Sequence, residues 1–265
     1  MNLDYFCGML ADEKPLDTLV TDGGFCGIMR TIACVGDSLS SGEFEMLDCN
    51  GNKTYHDMFD YSWGQFMARL AGCKVYNFSR GGMTAKEYCN SFAESAGFWD
   101  ADKAAKCYII ALGVNDVLNA GQPVGTVDDV CFDDYNKNAD TFAGYYAKII
   151  QRYKEIQPDA KFFLVTKPRD SRDERCEGAD AISKLLYDFA SVFSNTYIID
   201  LRKYAPAYDE EIRKRFFLGG HMNAAGYLFT AKLIVSYIDY IIRHNFEEFS
   251  EIGFVGYDMK NKLNV

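Results

Sequence analysis

A serine and a histidine far apart in the chain have the residue types that acyl transfer requires. Ser38 follows the apolar run TIACVG in the segment GDSLSSGE, and His221 stands in the glycine-framed segment GGHMN, just before a long amphipathic stretch. A serine hydroxyl is a weak nucleophile that needs a base within hydrogen-bond reach. The two residues could form that pair, although Ser38 could also be a turn or cap residue and His221 could simply cap the following helix.

Two further segments could stabilise the oxyanion that forms when a hydroxyl attacks an acyl carbon. Asn115 in GVND could donate through its amide, and Gly82 in RGGMT could donate its backbone N–H where any side chain would block the acyl group. Either segment could instead be an ordinary turn, because Asn, Asp and Gly are common turn residues. The combination of all four segments, rather than any single residue, indicates a hydrolytic site.

The other two histidines have structural interpretations. His244 ends a predicted long helix, where a cation interacts favourably with the helix dipole. His56 lies in the polar and aromatic segment NKTYHDMFDY, which has no glycine frame. His221 is therefore the candidate base.

The elements that must position these residues are predicted by hydrophobic periodicity. Short apolar, β-branched or aromatic runs predict buried strands over residues 31–36, 73–78, 106–112, 160–167 and 196–201. Apolar residues at helical spacing predict helices over residues 61–72, 133–158, 177–195 and 222–245. Alternating strands and helices form βαβ units, so we expect one α/β domain with a central, mainly parallel five-stranded sheet and helices on both faces. We assign residues 31–265 to this domain and residues 1–30, rich in turn signals, to an N-terminal extension packed on it.

Ligands bind beyond the carboxyl ends of the strands in such sheets, and the chemically useful segments follow successive predicted strands. Their order, GDSLSSG, NFSRGGMT, GVND and GGHMNAAGY, resembles the SGNH (GDSL-type) hydrolase family, which is named after Ser, Gly, Asn and His in four blocks. The resemblance implies a flavodoxin-like three-layer α/β/α sandwich, ester hydrolysis through an acyl-enzyme, and no metal or other cofactor. It implies that Ser38 is the nucleophile and His221 the base. The implied oxyanion donors are the backbone N–H groups of Ser38 and Gly82 and the amide of Asn115.

One position departs from the family pattern. The family usually has an Asp three residues before the His, which orients the imidazole, whereas this chain has Leu218. A main-chain carbonyl near residues 218–220 could hold the ring, or an acid could arrive from elsewhere; Asp209, Glu210 and Glu211 are the nearest upstream acids, at a spacing typical of an exposed helix start. A second class of function therefore stays open, a catalytically impaired binding protein for a glycan or a partner. A phosphate-binding protein fits poorly, because no segment matches a P-loop or GxGxxG pattern.

Polar residues beside the four blocks are the candidates for substrate contact: Asp37, Glu43, Arg80, Asp116 and Arg169. Glu43, Phe44 and Glu45 after Ser38, together with the segment Tyr55–Trp63, could line a sugar-sized cleft, although the aromatic residues could instead belong to the core beneath the sheet. We therefore expect a small-molecule ester as the substrate, with an acylated sugar as the more specific hypothesis. For Arg169 a solvated loop is the alternative.

Composition narrows the partners and the compartment. The formal net charge of -10 disfavours nucleic acid and anionic membranes as partners. No apolar window is expected to span a membrane, and the N-terminus does not resemble a signal peptide. The nine cysteines include no CxxC pair, and several lie in apolar runs, which favours reduced core thiols and a cytoplasmic protein, although a mature secreted form would look the same. Nothing in the sequence sets an oligomeric state.

Overall fold

The carboxyl ends of five parallel strands meet at one edge of a central sheet. The computed structural model describes residues 7–10, 12–171 and 176–258. The sheet has the order β4-β1-β5-β6-β7, and all of its neighbouring strands are parallel. Its strands are β1 (Thr31–Gly36), β4 (Lys74–Ser79), β5 (Cys107–Ala111), β6 (Lys161–Val165) and β7 (Thr196–Ile199). The predicted strands and the predicted fold class are confirmed, and the sheet is wholly parallel.

Helices lie on both faces of the sheet. Their bounds are α1 (Ser38–Ser41), α2 (Trp63–Ala71), α3 (Ala85–Glu87), α4 (Ala93–Ser95), α5 (Phe142–Ile156), α6 (Cys176–Val192), α7 (Leu201–Tyr204), α8 (Glu210–Phe216), α9 (Ala224–Arg243) and α10 (Phe246–Phe249). Wider turns of π geometry cover Tyr88–Phe92 and Val114–Asn119. Tighter 3-10 turns cover Gly24–Met29, Phe59–Tyr61, Ala101–Lys103, Val127–Asp129, Tyr135–Lys137 and Ile252–Phe254.

Alternate residues of each strand pack into two separate cores. On β1, Ala33 and Val35 pack with α5 and α6, whereas Ile32 and Cys34 pack with α2 and α9. Both faces are covered, which is why the strands read as continuous apolar runs. Cys34 and Cys107 are buried, and the cysteines in the described part of the chain are free thiols.

The predicted helix over residues 133–158 begins later than expected. Helix α5 starts at Phe142, where the hydroxyl of Thr141 accepts the N–H of Gly144 at 3.2 Å. Upstream, Asp134 accepts the N–H of Asn136, and Asn138 accepts the N–H of Cys131 at 2.8 Å. Short polar side chains that hydrogen-bond nearby backbone groups compete with helix formation. Hydrophobic periodicity therefore predicted a helix start before the real one at Phe142.

Two small antiparallel pairs were not predicted. Strands β2 (Glu43–Leu47) and β3 (Lys53–Asp57) form a hairpin directly after α1, and β8 (Phe217–Leu218) pairs with β9 (His221–Met222). Strand β2 also packs against β8 and β9. These two pairs therefore bring a segment close to Ser38 in the chain against the segment that carries His221.

The N-terminal segment packs on helix α9. The N–H of Phe25 donates to Asp239 at 2.8 Å, and Arg243 forms ion pairs with Glu13 and Asp239, each at 2.7 Å. The side chains of Arg243, Glu13 and Asp239 are 7%, 2% and 5% exposed, so the cluster is buried. A polar network this deep is stable only because each charge has a partner.

Helix α9 corrects one expectation. Among the described residues, Ala224–Arg243 is by length and composition apolar enough to cross a membrane, although no such window was expected. Most of that apolar window is buried inside the fold. Its composition has a structural reason, because the helix contacts α2, the sheet and the 24–29 turn and so presents apolar residues on several sides.

Candidate active site

Ser38 stands at the exit of β1 as the first residue of α1. Asp37 caps this short helix, since its carboxylate accepts the N–H of Leu39 at 3.0 Å. A Cβ at Gly36 would lie 2.4 Å from the Cβ of Ser40, so only glycine lets the helix turn back so closely on the strand. The local sequence thus fixes where the Ser38 hydroxyl leaves the sheet.

A cavity of about 350 Å³ lies beyond the carboxyl ends of β1, β5 and β6. Ser38, Asn115 and His221 all line it, so three of the predicted residues meet at one place. Much of the remaining wall is apolar, and includes Trp63, Leu112, Val165, Leu201, Phe217 and Met222. A concave apolar site with a few convergent polar groups is the usual form of a small-molecule site.

His221 is placed by the β8–β9 pair and by the start of helix α9. Asn223 caps that helix through the N–H of Gly226 at 2.9 Å. The ring of Tyr55 meets the imidazole edge-on, with 5.5 Å between the ring centroids. The His221 side chain is 17% exposed, so the imidazole is enclosed yet still reaches the cavity.

Two carboxylates from β2 face the imidazole. Nε2 of His221 lies 3.1 Å from Oε1 of Glu43, and Nδ1 lies 3.5 Å from Oε2 of Glu45. Glu43 and Glu45 are two positions apart on one strand, so their side chains point to the same face. Nδ1 is buried and has no hydrogen bond to any residue that the structure describes.

The two glutamates have different surroundings. Glu45 accepts the Gly220 N–H at 2.8 Å and lies 2.6 Å from the Lys53 ammonium; Lys53 first, and then Gly220, lower the pKa of Glu45. Burial raises the pKa of Glu43, and the nearby His221 partly offsets this rise. Glu43 also lies against Gly81, where an added Cβ would come within 2.2 Å of its carboxylate. Glu45 is therefore the more firmly held anion of the two.

Leu218 occupies the position where the family usually has an Asp, and the acids that face His221 come instead from strand β2. Leu218 pairs directly with His221 across the β8–β9 pair and is 37% exposed. Asp209, with Glu210 and Glu211 after it, begins helix α8 as its spacing indicated. Glu43 and Glu45 had been considered only as residues that could contact substrate or line a cleft, and neither had been predicted to face His221. Their alternation in EFEML is the signal of a half-buried strand that would have placed both acids on one face.

Asn115 lies on the cavity wall with its amide held on both sides. Its Nδ2 donates to the carbonyl of Met83 at 3.1 Å, and its Oδ1 accepts from Nδ2 of Asn119 at 2.7 Å. An amide nitrogen carries two hydrogens. One of them is used on Met83, which leaves the second for an oxyanion.

Gly82 and Arg80 lie in the turn after β4. Gly82 has a φ of +72°, which favours glycine, and a Cβ added there would meet no protein atom within 4 Å. The backbone conformation, rather than crowding by the protein, requires this glycine. Arg80 forms an ion pair with Glu87 at 2.5 Å and lies over the ring of Phe92, so its charge is already partnered.

Asp37 and Asp116 each accept a hydrogen bond from a backbone N–H group. Asp116 is fully buried and accepts the N–H of Ala85 at 2.8 Å, which ties the turn after β5 to the segment after β4. Burial raises the pKa of Asp37 and the pKa of Asp116 to about 6 in each case. Asp37 lines the cavity and is therefore the one of the pair placed to meet a ligand.

Arg169 does not line the main cavity but lies in a second surface pocket with Arg202 and Lys203. The neighbouring Asp170 instead lines the main cavity, where it forms an ion pair with Arg213. The ion pair between Asp170 and Arg213 was not predicted. No group of three or more His, Cys, Asp or Glu side chains among the described residues is placed to hold a metal ion.

A parallel sheet of order β4-β1-β5-β6-β7, with serine, asparagine and histidine around a cavity at its carboxyl edge, defines a three-layer α/β protein of the hydrolase type. The chain belongs to the GDSL-like lipase/acylhydrolase family, whose model matches residues 34–228. The match includes all four blocks, from Ser38 to His221. The resemblance seen in the sequence is thereby confirmed.

Solved structures with the same fold include carbohydrate esterases. A family 3 carbohydrate esterase from Clostridium thermocellum aligns with a TM-score of 0.53 and 16% identity over 81% of this chain and 97% of that one. A family two carbohydrate esterase from the same organism, in complex with cellohexaose, aligns with a TM-score of 0.55 and 17% identity over 90% of this chain and 67% of that one. The acetyl xylan esterase AlAXEase aligns with a TM-score of 0.50 and 19% identity over 78% of this chain and 99% of that one. A comparison with curated protein sequences finds no match.

Proposed function

We propose that this protein is a serine esterase that hydrolyses a small carboxylic ester through an acyl-enzyme. The observation that carries the proposal is the shared cavity, which Ser38, Asn115 and His221 reach from three separate parts of the chain. Membership of the GDSL-like lipase/acylhydrolase family supports the same reaction class. No metal or organic cofactor is required by this chemistry.

In the proposed first half-reaction, the Ser38 hydroxyl attacks the ester carbonyl as His221 takes its proton. The N–H groups of Ser38 and Gly82 and the amide of Asn115 hold the oxyanion. The tetrahedral intermediate then collapses, and the alcohol leaves with the proton that His221 returns. Water repeats the sequence on the acyl-enzyme and releases the acid. Glu43 contacts Nε2, so this carboxylate must move away before the ring can accept the serine proton.

We propose an acylated sugar as the substrate. The acyl group would enter the apolar cavity, and the sugar would lie at its mouth against Tyr55, which is 51% exposed beside the imidazole. An exposed aromatic ring next to a catalytic group suits a sugar, because its face is apolar and its hydroxyl is polar. The carbohydrate esterases among the structural neighbours support this assignment.

The test is hydrolysis of a small activated ester by wild type and by Ser38→Ala. The control is Ser40→Ala, which removes a buried hydroxyl from the same short helix; no described residue hydrogen-bonds that hydroxyl. We expect Ser38→Ala to abolish turnover and fluorophosphonate labelling, and Ser40→Ala to retain both. Unchanged turnover in Ser38→Ala would refute the serine mechanism. Release of acetate from an acetylated oligosaccharide, compared with the free activated ester, tests the sugar assignment.

A glycan- or partner-binding protein without catalysis is the second candidate. Leu218 in place of an acid and the contact between Glu43 and Nε2 favour it. Fluorophosphonate labelling separates the two functions, because only an activated serine reacts. A wild-type protein that binds acetylated oligosaccharides but resists the probe would establish the second candidate.

A further inference from the structure

The imidazole of His221 lacks the acid expected at position 218 but has an unsatisfied nitrogen. Nδ1 is buried and makes no hydrogen bond within the described part of the chain. Buried polar atoms are nearly always partnered in native proteins, so this nitrogen requires a hydrogen-bond partner. A carboxylate oxygen of Glu45 lies 3.5 Å away, which is ion-pair range and slightly beyond a normal hydrogen bond. Catalytic hydrogen bonds are often this long before substrate binds.

The Glu45 carboxylate is fixed from two sides. It accepts the Gly220 N–H at 2.8 Å and the Lys53 ammonium lies at 2.6 Å, while the Glu45 side chain is only 8% exposed. These contacts favour the ionised form and lower the pKa of Glu45. A charged, immobile acceptor beside a ring nitrogen is what sets the tautomer and orientation of a catalytic histidine.

The glycine before Gly220 leaves room for that carboxylate. Gly219 has a φ of +65°, and a Cβ there would lie 2.3 Å from Oε1 of Glu45. The His221 segment is thus shaped around the Glu45 side chain. Both glycines of the GGH segment contribute, one by leaving space and the other by donating its N–H.

We propose that Glu45 is the positioning residue for His221, supplied by the β2–β3 hairpin in place of the missing acid at position 218. It holds the hydrogen of the neutral ring on Nδ1 and leaves the lone pair of Nε2 to accept the Ser38 proton. The inference rests on the proposed serine mechanism and deepens it.

Glu43 is the rival acid and fits this role less well. Its carboxylate lies 3.1 Å from Nε2, the nitrogen that must accept the serine proton. No backbone N–H or lysine among the described residues anchors it, in contrast to Glu45. An acid on Nε2 would hold the ring hydrogen on the wrong nitrogen for catalysis. Glu43 is therefore a group that the ring must leave rather than the group that orients it.

The kinetic test is Glu45→Gln with a rescue variant. We expect kcat to fall at least about tenfold with KM nearly unchanged, toward the ~10⁴-fold loss that follows removal of an orienting carboxylate from an optimised triad. Leu218 is the cross-strand partner of His221, so the carboxylate of Leu218→Asp can reach the ring. Adding Leu218→Asp to Glu45→Gln should recover much of the lost kcat. Full activity in Glu45→Gln, or a loss that Leu218→Asp leaves untouched, would overturn the inference.

A spectroscopic test does not depend on turnover. Nitrogen-15 NMR of the imidazole rings in Glu43→Ala, which removes the carboxylate beside Nε2, reports which nitrogen of neutral His221 carries the hydrogen. A hydrogen on Nδ1 supports Glu45, whereas a hydrogen on Nε2 refutes the proposal. The two hypotheses fail separately: ester turnover that does not depend on Ser38 rejects the proposed function, while the tautomer still decides the role of Glu45.

Discussion

The amide of Asn115 offers the sharpest test of how this site stabilises charge. One hydrogen of Nδ2 is bound to the carbonyl of Met83 at 3.1 Å, and Oδ1 accepts from Asn119 at 2.7 Å. The amide plane is therefore fixed, and its second hydrogen is free to meet an oxyanion at the cavity. Asn115→Ala removes that donor together with both fixing contacts.

The expected effects on rate and on stability are separable. Loss of one oxyanion donor costs about 3 kcal/mol of transition-state stabilisation, or a fall of roughly 10²- to 10³-fold in kcat. The two ground-state hydrogen bonds contribute about 1 kcal/mol each to folding and do not enter kcat directly. We therefore expect a large fall in kcat, a nearly unchanged KM, and a free energy of unfolding lowered by only about 2 kcal/mol.

Steady-state kinetics with a small activated ester, and urea unfolding of the same samples, measure the two effects. Asn119→Ala is the matched control, because it removes one of the groups that fix the Asn115 amide but keeps the donor. This control should keep most of the wild-type kcat and lose about 1 kcal/mol of stability, the contribution of one hydrogen bond. An Asn115→Ala protein that is folded and keeps a third or more of the wild-type kcat would refute the oxyanion role.

Three further predictions concern buried charge and backbone shape. Burial raises the pKa of Asp116 from 3.8 to about 6, so the stability of the wild type falls as the pH rises through that range. Asp116→Asn removes this loss, and urea unfolding should show its stability relative to wild type rising by up to ~3 kcal/mol between about pH 4 and pH 8. Stability curves of the two proteins that run parallel over that pH range would contradict the burial argument. Gly219→Ala should lower kcat at least about tenfold, because the new Cβ would displace the Glu45 carboxylate. Gly51 has a similar positive φ but open space around it, so Gly51→Ala should lose only about 1–2 kcal/mol of stability. Equal kcat values in the two variants would count against a steric conflict with Glu45. Arg243→Met removes the arginine partner of two buried carboxylates and should lower the free energy of unfolding by about 3–5 kcal/mol. A thermal unfolding midpoint equal to that of wild type would show that the cluster is not needed.

The sequence predicted the sheet because its strands are buried on both faces. Short runs of apolar and β-branched residues such as TIACVG indicate a buried strand, and this one leads through Gly36 directly to Asp37 and Ser38. Their regular alternation with helices then limited the topology to a parallel sheet. Ser38, Asn115 and His221 could be placed at one edge for the same reason, since parallel strands all end on the same side.

The alternation in EFEML indicates that the two acids share a face, but their position beside His221 could not be predicted from local pattern. Glu43 and Glu45 reach the ring only because β2 turns back as one arm of a hairpin and packs against β8 and β9, a contact between distant parts of the chain. Position 218, by contrast, is close in sequence and was the natural place to look. The late start of α5 and the pair formed by Asp170 with Arg213 were missed for a similar reason, because side-chain hydrogen bonds and ion pairs do not follow hydrophobic periodicity.

The β2–β3 hairpin follows the Ser38 helix directly, so the hydroxyl and the two glutamates beside His221 are close in sequence. One uninterrupted stretch, residues 36–57, carries the hydroxyl and both glutamates, while the imidazole arrives from a remote segment. Recombination with a related chain at the two ends of this stretch would exchange the proposed nucleophile together with both glutamates. Transferring the His221 segment alone would leave the imidazole without the two glutamates that face it. The junctions of a chimaera should therefore lie outside residues 36–57.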